Sequence, residues 1–86
     1  MERYRVFIKP SAVKEIEAIP RKKDRQFIAQ KIKQLSIDPR PHGCQKLSGH
    51  DRYRLRQGQY RIIYSIEDNE LVVYVVKVGQ RKDVYR

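Results

Sequence analysis

Tyr53-Arg54-Leu55-Arg56-Gln57-Gly58-Gln59-Tyr60-Arg61-Ile62-Ile63-Tyr64 is the stretch on which the fold turns. Its first four residues alternate in character, and side chains along a strand point to opposite faces in turn. Tyr53 and Leu55 therefore share one face, suited to a core, while Arg54 and Arg56 share the other. Gln57-Gly58-Gln59 is a glycine-containing turn, and Tyr60 to Ile66 is strand-like again. Asp68-Asn69 makes a second turn. Leu71 to Val78 reads as a strong strand of β-branched and aromatic residues, ended by Gly79, with Asp83-Val84-Tyr85-Arg86 as a short tail. Three strands joined by short turns predict a meander.

Upstream the period changes from two to about three and a half. Tyr4-Arg5-Val6-Phe7-Ile8 reads as an opening strand that Pro10-Ser11 stops, with Ser11 as a candidate N-cap. Val13, Ile16 and Ile19 then recur at helical spacing, which predicts a short amphipathic helix. Pro20 either breaks that helix or opens the next at its first position. The second helix is predicted from Arg21 to Ile37, with Phe27, Ile28, Ile32 and Leu35 as its apolar set. Arg21, Lys22, Lys23, Arg25, Lys31 and Lys33 face the lone acid Asp24, a solvated surface in the first instance and an RNA-facing one in the second. Asp38 to Gly43, with two prolines, is a loop. The expected architecture is α+β in the order β-α-α-β-β-β, a helical hairpin packed on one face of an antiparallel-rich sheet, as a single domain over residues 1–86.

Composition narrows the function. With 20 Lys plus Arg against 10 Asp plus Glu, the 86 residues carry a formal net charge of +10. Such a chain is drawn to polyanions by counterion release, so nucleic acid, an acidic protein or an anionic surface are the candidate partners. Residues 1–43 hold 11 basic and 5 acidic side chains, and residues 44–86 hold 9 and 5. The surplus is therefore spread over both halves, net +6 and net +4. No apolar run is long enough to span a membrane and no apolar segment follows the opening Met-Glu-Arg, so a cytoplasmic location is expected. One cysteine, Cys44, and two histidines, His42 and His50, cannot by themselves supply a structural zinc site, and no cofactor is expected. Cys44 reads as a packing group, and both histidines as loop residues.

Between positions 52 and 61 stand four arginines, Arg52, Arg54, Arg56 and Arg61, and no acid. A hairpin centred near Gly58 would bring Arg61 close to Arg54 and Arg56. Like charges gathered on a sheet repel, and arginine is the residue for bidentate phosphate binding, so the cluster predicts a phosphate-binding surface. Tyr85 reads either as a core anchor, or as a group that stacks on a base or exchanges a proton.

Three segments together carry a family resemblance. They are Lys46-Leu47-Ser48-Gly49, Tyr53-Arg54-Leu55-Arg56-Gln57-Gly58-Gln59-Tyr60-Arg61-Ile62-Ile63-Tyr64, and Val78-Gly79-Gln80-Arg81-Lys82-Asp83-Val84-Tyr85. With the opening strand and the Ala12-Val13-Lys14 helix, the whole chain resembles the RelE branch of the RelE/ParE toxin superfamily. The resemblance implies a microbial-ribonuclease-like fold and an mRNA interferase that cuts message in the ribosomal A site. It also implies an acidic RelB-like antitoxin in a toxin–antitoxin hetero-oligomer. It places the family's basic residues on Arg54, Arg56, Arg61 and Arg81, and its C-terminal tyrosine on Tyr85. Two positions depart from the family pattern: Arg54 and Arg56 stand where lysine is frequent, and Gln80 where close relatives have histidine.

Metal-free RNA cleavage uses the neighbouring 2′-hydroxyl as nucleophile. It needs a base and fixed positive charge for the phosphorane. Arg61 and Arg81 are expected to supply that charge, with Arg54 and Arg56 alongside. Arginine holds its proton, which leaves Tyr85 as the expected base and His50 as the alternative. Two rival readings use the same charge: a ParE-like inhibitor of DNA gyrase, and a non-catalytic nucleic-acid-binding domain.

Overall fold

A computed structural model of the chain describes residues 3–48 and 51–80. The element order is β1 (Arg5–Ile8), α1 (Pro10–Glu17), α2 (Lys22–Gln34), β2 (Gln45–Lys46), β3 (Arg52–Gln57), β4 (Tyr60–Glu67) and β5 (Val72–Gln80). The strands form one sheet in the order β1-β5-β4-β3-β2. β1 runs parallel to β5, and the other three pairings are antiparallel. The expected α+β arrangement is present, with the two-residue β2 as an addition to it.

Both helices start and stop for local reasons. α1 begins at Pro10, whose fixed φ suits the first helical position, and the Lys9 carbonyl accepts from the Ala12 and Val13 amides at 2.8 and 3.0 Å. Ser11 is thus inside the first turn rather than at the cap. Arg25 joins the two helices: its Nη1 donates to the Ile19 carbonyl at 2.5 Å and the Pro20 carbonyl at 3.2 Å. It belongs to the hairpin's framework, not to a free basic surface. α2 ends at Gln34, three residues before the expected Ile37. The Ser36 hydroxyl turns back to the Lys33 carbonyl at 2.9 Å, and Pro39 disfavours helix at the residue before it.

Ala12, Ile19, Ile28, Ile32 and Leu35 on the helical side pack with Leu55, Ile62, Tyr64, Val73, Val75 and Val78 of the sheet. Phe27 does not join them and is 45% exposed. Successive helical residues lie about 100° apart, so the stripe through Ile28, Ile32 and Leu35 leaves its neighbour Phe27 outside. The same geometry buries Ala12 and leaves Val13 outside. Gly79 does not end β5. It lies within the strand, paired with Arg61, and Gln80 pairs with Tyr60. A register shift between Ile63 and Tyr64 marks an irregularity where β4 and β5 pass each other.

Candidate functional site

The β3–β4 hairpin is closed by two residues, Gly58 and Gln59, with Gly58 at φ +60°. A positive φ at the first loop residue and not at the second is the II′ turn, whose twist matches that of the flanking strands. This tight loop fixes the register: Gln57 faces Tyr60, Arg56 faces Arg61, Leu55 faces Ile62 and Arg54 faces Ile63. Leu55 and Ile62 enter the helix-covered core, so Arg54, Arg56 and Arg61 share the opposite face. The hairpin thus brings the three arginines together.

Their surroundings differ. Arg61 is 5% exposed, the one buried charged residue among those described. Its partner on β5 is Gly79, which puts no side chain beside it. Arg56 is exposed, and half-buried Arg54 donates through Nη2 to the Gln45 side chain on β2. A cationic pair directly across strands is unfavourable. A phosphate against this face would offset that, since guanidinium groups match its oxygens bidentately. Arg81, Tyr85 and His50 lie outside the described residues.

The strand that leads toward Arg81 is held by α1. β1 covers the outer edge of β5 only as far as Val75. Beyond it, Glu15 Oε1 accepts from the Val78 amide at 2.9 Å, and its Oε2 lies 3.1 Å from Lys77 Nζ. A carboxylate thereby stands where a strand's carbonyl would stand. Glu15, Ala18, Ile19, Tyr60 and Gly79 line a cleft at this end of the sheet.

A second cluster lies at the other end of the hairpin, joined by pairings that no motif or spacing singles out. Arg40, between two prolines, donates from both terminal nitrogens to Asp68 at 2.9 and 3.1 Å, and its Nε donates to the Tyr53 hydroxyl at 3.2 Å. The Tyr4 hydroxyl donates to Asp68 at 2.7 Å. Hydrogen bonds from Arg40 first, then Tyr4, hold the Asp68 carboxyl down at about 2. The same contact with Asp68 raises the Tyr4 phenol and the Arg40 guanidinium. Next to it Tyr53 stacks on Tyr64, ring centroids 5.8 Å apart. Tyr64 is fully buried, its hydroxyl donates to the Pro39 carbonyl at 2.8 Å, and burial pushes its phenol upward. These side chains pair internally and tie loop 38–43 to β3, β4 and the β4–β5 turn, with Tyr4 bound to the same turn; they are framework. His42 is exposed in that loop, and Cys44 packs half-buried against the core.

A mixed five-stranded sheet, with a helical hairpin on one face and arginines on the other, defines a small α+β class that known proteins share. Residues 6–85 match the family model described as the ParE toxin of type II toxin-antitoxin system, parDE. Over 87 residues the chain is 32% identical to an Escherichia coli candidate RelE-like toxin protein, covering 96% of this chain and 90% of that one. Among solved structures, the archaeal RelE-RelB complex from Pyrococcus horikoshii OT3 contains a chain with TM-score 0.82 and 31% identity, covering 94% of this chain and 98% of that chain. The isolated Escherichia coli RelE toxin matches with TM-score 0.76 and 29% identity over 95% of this chain and 90% of that one. The chain belongs to this superfamily of type II toxin–antitoxin toxins, as a RelE-type member.

Proposed function

We propose that this toxin is a metal-independent endoribonuclease that cuts mRNA in the ribosomal A site and so stops translation. The observation that carries the reading is the Arg56–Arg61 cross-strand pair, with Arg54 beside it, on the sheet face away from the helices. In this mechanism the 2′-hydroxyl preceding the scissile phosphate attacks phosphorus, the P–O5′ bond breaks, and a 2′,3′-cyclic phosphate and a 5′-hydroxyl result. Arg61 is fixed in place by burial and by its two flanking strands, so it meets the growing phosphorane charge with little reorganisation. Arg54 and Arg56 hold the flanking phosphates. Arg81 adds positive charge and Tyr85 takes the 2′-hydroxyl proton, with His50 as the alternative base. The active unit is one domain spanning residues 1–86, working in the cytoplasm where ribosomes are.

The partner in this reading is an acidic RelB-like antitoxin in a hetero-oligomer. The net charge of +10 and the RelE-RelB complexes among the similar structures support it. The test is cleavage mapping on message in translating ribosomes. Wild type is expected to cut in the A site, and Arg61→Ala and Arg81→Ala to lose about 10²–10³ in rate. Tyr85→Phe that is folded yet cuts at the wild-type rate sinks the base assignment. A second reading, inhibition of DNA gyrase, takes its support from the match to the ParE toxin description. Loss of supercoiling activity without any message cuts would establish it instead.

A further inference from the structure

The face that carries the arginines continues across the sheet. Ser65 of β4 lies on it by alternation with Arg61, and the register sets Ser65 opposite Tyr74 of β5, and Tyr74 opposite Phe7 of β1. The Phe7 and Tyr74 rings are stacked, centroids 5.6 Å apart and planes 24° from parallel. The Arg5 guanidinium lies 5.8 Å from the centre of the Phe7 ring. Both rings stay open to solvent, 45% exposed for Phe7 and 44% for Tyr74. On the other side of Tyr74, Ser65 is too small to cover it, and the residue beyond Ser65 is Arg52.

This patch lies outside the core. Its rings pack on each other and not into the core cluster. Among the described strand residues of this face, Glu67 is the one carboxylate, against Arg5, Arg52, Arg54, Arg56 and Arg61. Flat π-surfaces set in a cationic surface are the features by which proteins hold unpaired bases and their backbone. A hydrophobic peptide would be better served by aliphatic pockets than by a flat ring pair beside arginines.

We infer that Phe7 and Tyr74, with Arg5, form a stacking platform for unpaired bases of the single-stranded RNA whose scissile phosphate sits at the arginine hairpin. The inference rests on the ribonuclease reading above and adds a subsite to it. Ser65 lies four residues from Arg61 along β4, about 13 Å at about 3.3 Å per residue. A strand covers that in about four nucleotides when stacked at about 3.4 Å, and in fewer when extended.

The test uses the purified full chain and a 2′-O-methyl oligoribonucleotide that cannot be cut, carrying 2-aminopurine at one position moved stepwise along it. Wild type is expected to quench the probe at positions about two to four nucleotides from the phosphate held by Arg61. Phe7→Ala and Tyr74→Ala are expected to lose that quenching and about fivefold to a hundredfold in affinity. Tyr74→Phe keeps the ring and is expected to retain both. A shorter oligonucleotide that ends before the platform should bind all four proteins alike. Unchanged quenching and affinity in both alanine variants overturns the platform. So does loss of antitoxin binding with RNA binding intact, which makes the patch a protein-docking surface. If wild type neither binds nor cuts RNA and Arg61→Ala changes nothing, the ribonuclease reading falls, and the platform with it.

Discussion

Tyr64 shows how much one hydroxyl contributes in this chain. Its ring is fully buried, and its hydroxyl and the Pro39 carbonyl pin a proline-rich loop to β4. Tyr64→Phe keeps the packing and strands the carbonyl, which costs about 1–2 kcal/mol. In a domain of this size that is a fall of about 4–16 °C in melting temperature, checked by thermal unfolding. Gly58 is the second sensitive position. A Cβ there meets nothing within 4 Å, so the obstacle to Gly58→Ala is the left-handed φ of +60° alone. The expected cost is about 1–2 kcal/mol, read from the urea midpoint at unchanged slope. Asp68 makes stability depend on pH. Its folded pKa of about 2 lies below the ordinary 3.8, so its contribution is complete above pH 4 and is lost as pH falls toward 2. Asp68→Asn is expected to flatten the acid limb of the stability–pH curve in that window. Arg54, Arg56 and Arg61 were legible because alternation fixes their face and the glycine turn fixes their meeting. Arg40 was not, because its acceptor Asp68 is distant in sequence and nothing local points to it.

At the scale of elements, what could be read from the sequence follows the range of the force concerned. The β3–β4 and β4–β5 hairpins rest on alternation and short turns, and both were visible. The parallel pairing of β1 with β5 rests on tertiary packing and was not, nor was β2, whose two residues carry no pattern. Gly79 misled because an isolated glycine in a strand reads as a stop, whereas here it leaves space beside Arg61. Glu15 stands between the apolar positions Val13 and Ile16 of α1, where spacing does not set it apart from a solvated side chain. It serves instead as the edge partner of β5 where β1 runs out. Glu15→Ala is expected to expose the Val78 amide. Hydrogen exchange at Val78 should accelerate while the amides of β4 next to β3 keep their protection, since a strand edge opens locally before the sheet does. An unchanged exchange rate at Val78 would show that the carboxylate does not hold the edge.

For the whole molecule, charge sets the conditions under which it works. With +10 on 86 residues, RNA affinity should fall linearly with the logarithm of salt concentration. Replacing Arg54, Arg56 or Arg61 with Gln should lower that slope by about 0.7 each if each contacts one phosphate. The same change at Arg40, which is paired with Asp68, should leave the slope alone. The parallel pairing has a consequence for synthesis. β1 is translated first, yet the strand it pairs with, β5, is translated after every other described element. A nascent chain that stops at the β4–β5 turn has β1 but not the strand that joins it to β4. Vectorial folding is therefore deferred, because the sheet can close only when its last-made strand is available. A toxin assembled in that order has no finished sheet until β5 has left the ribosome.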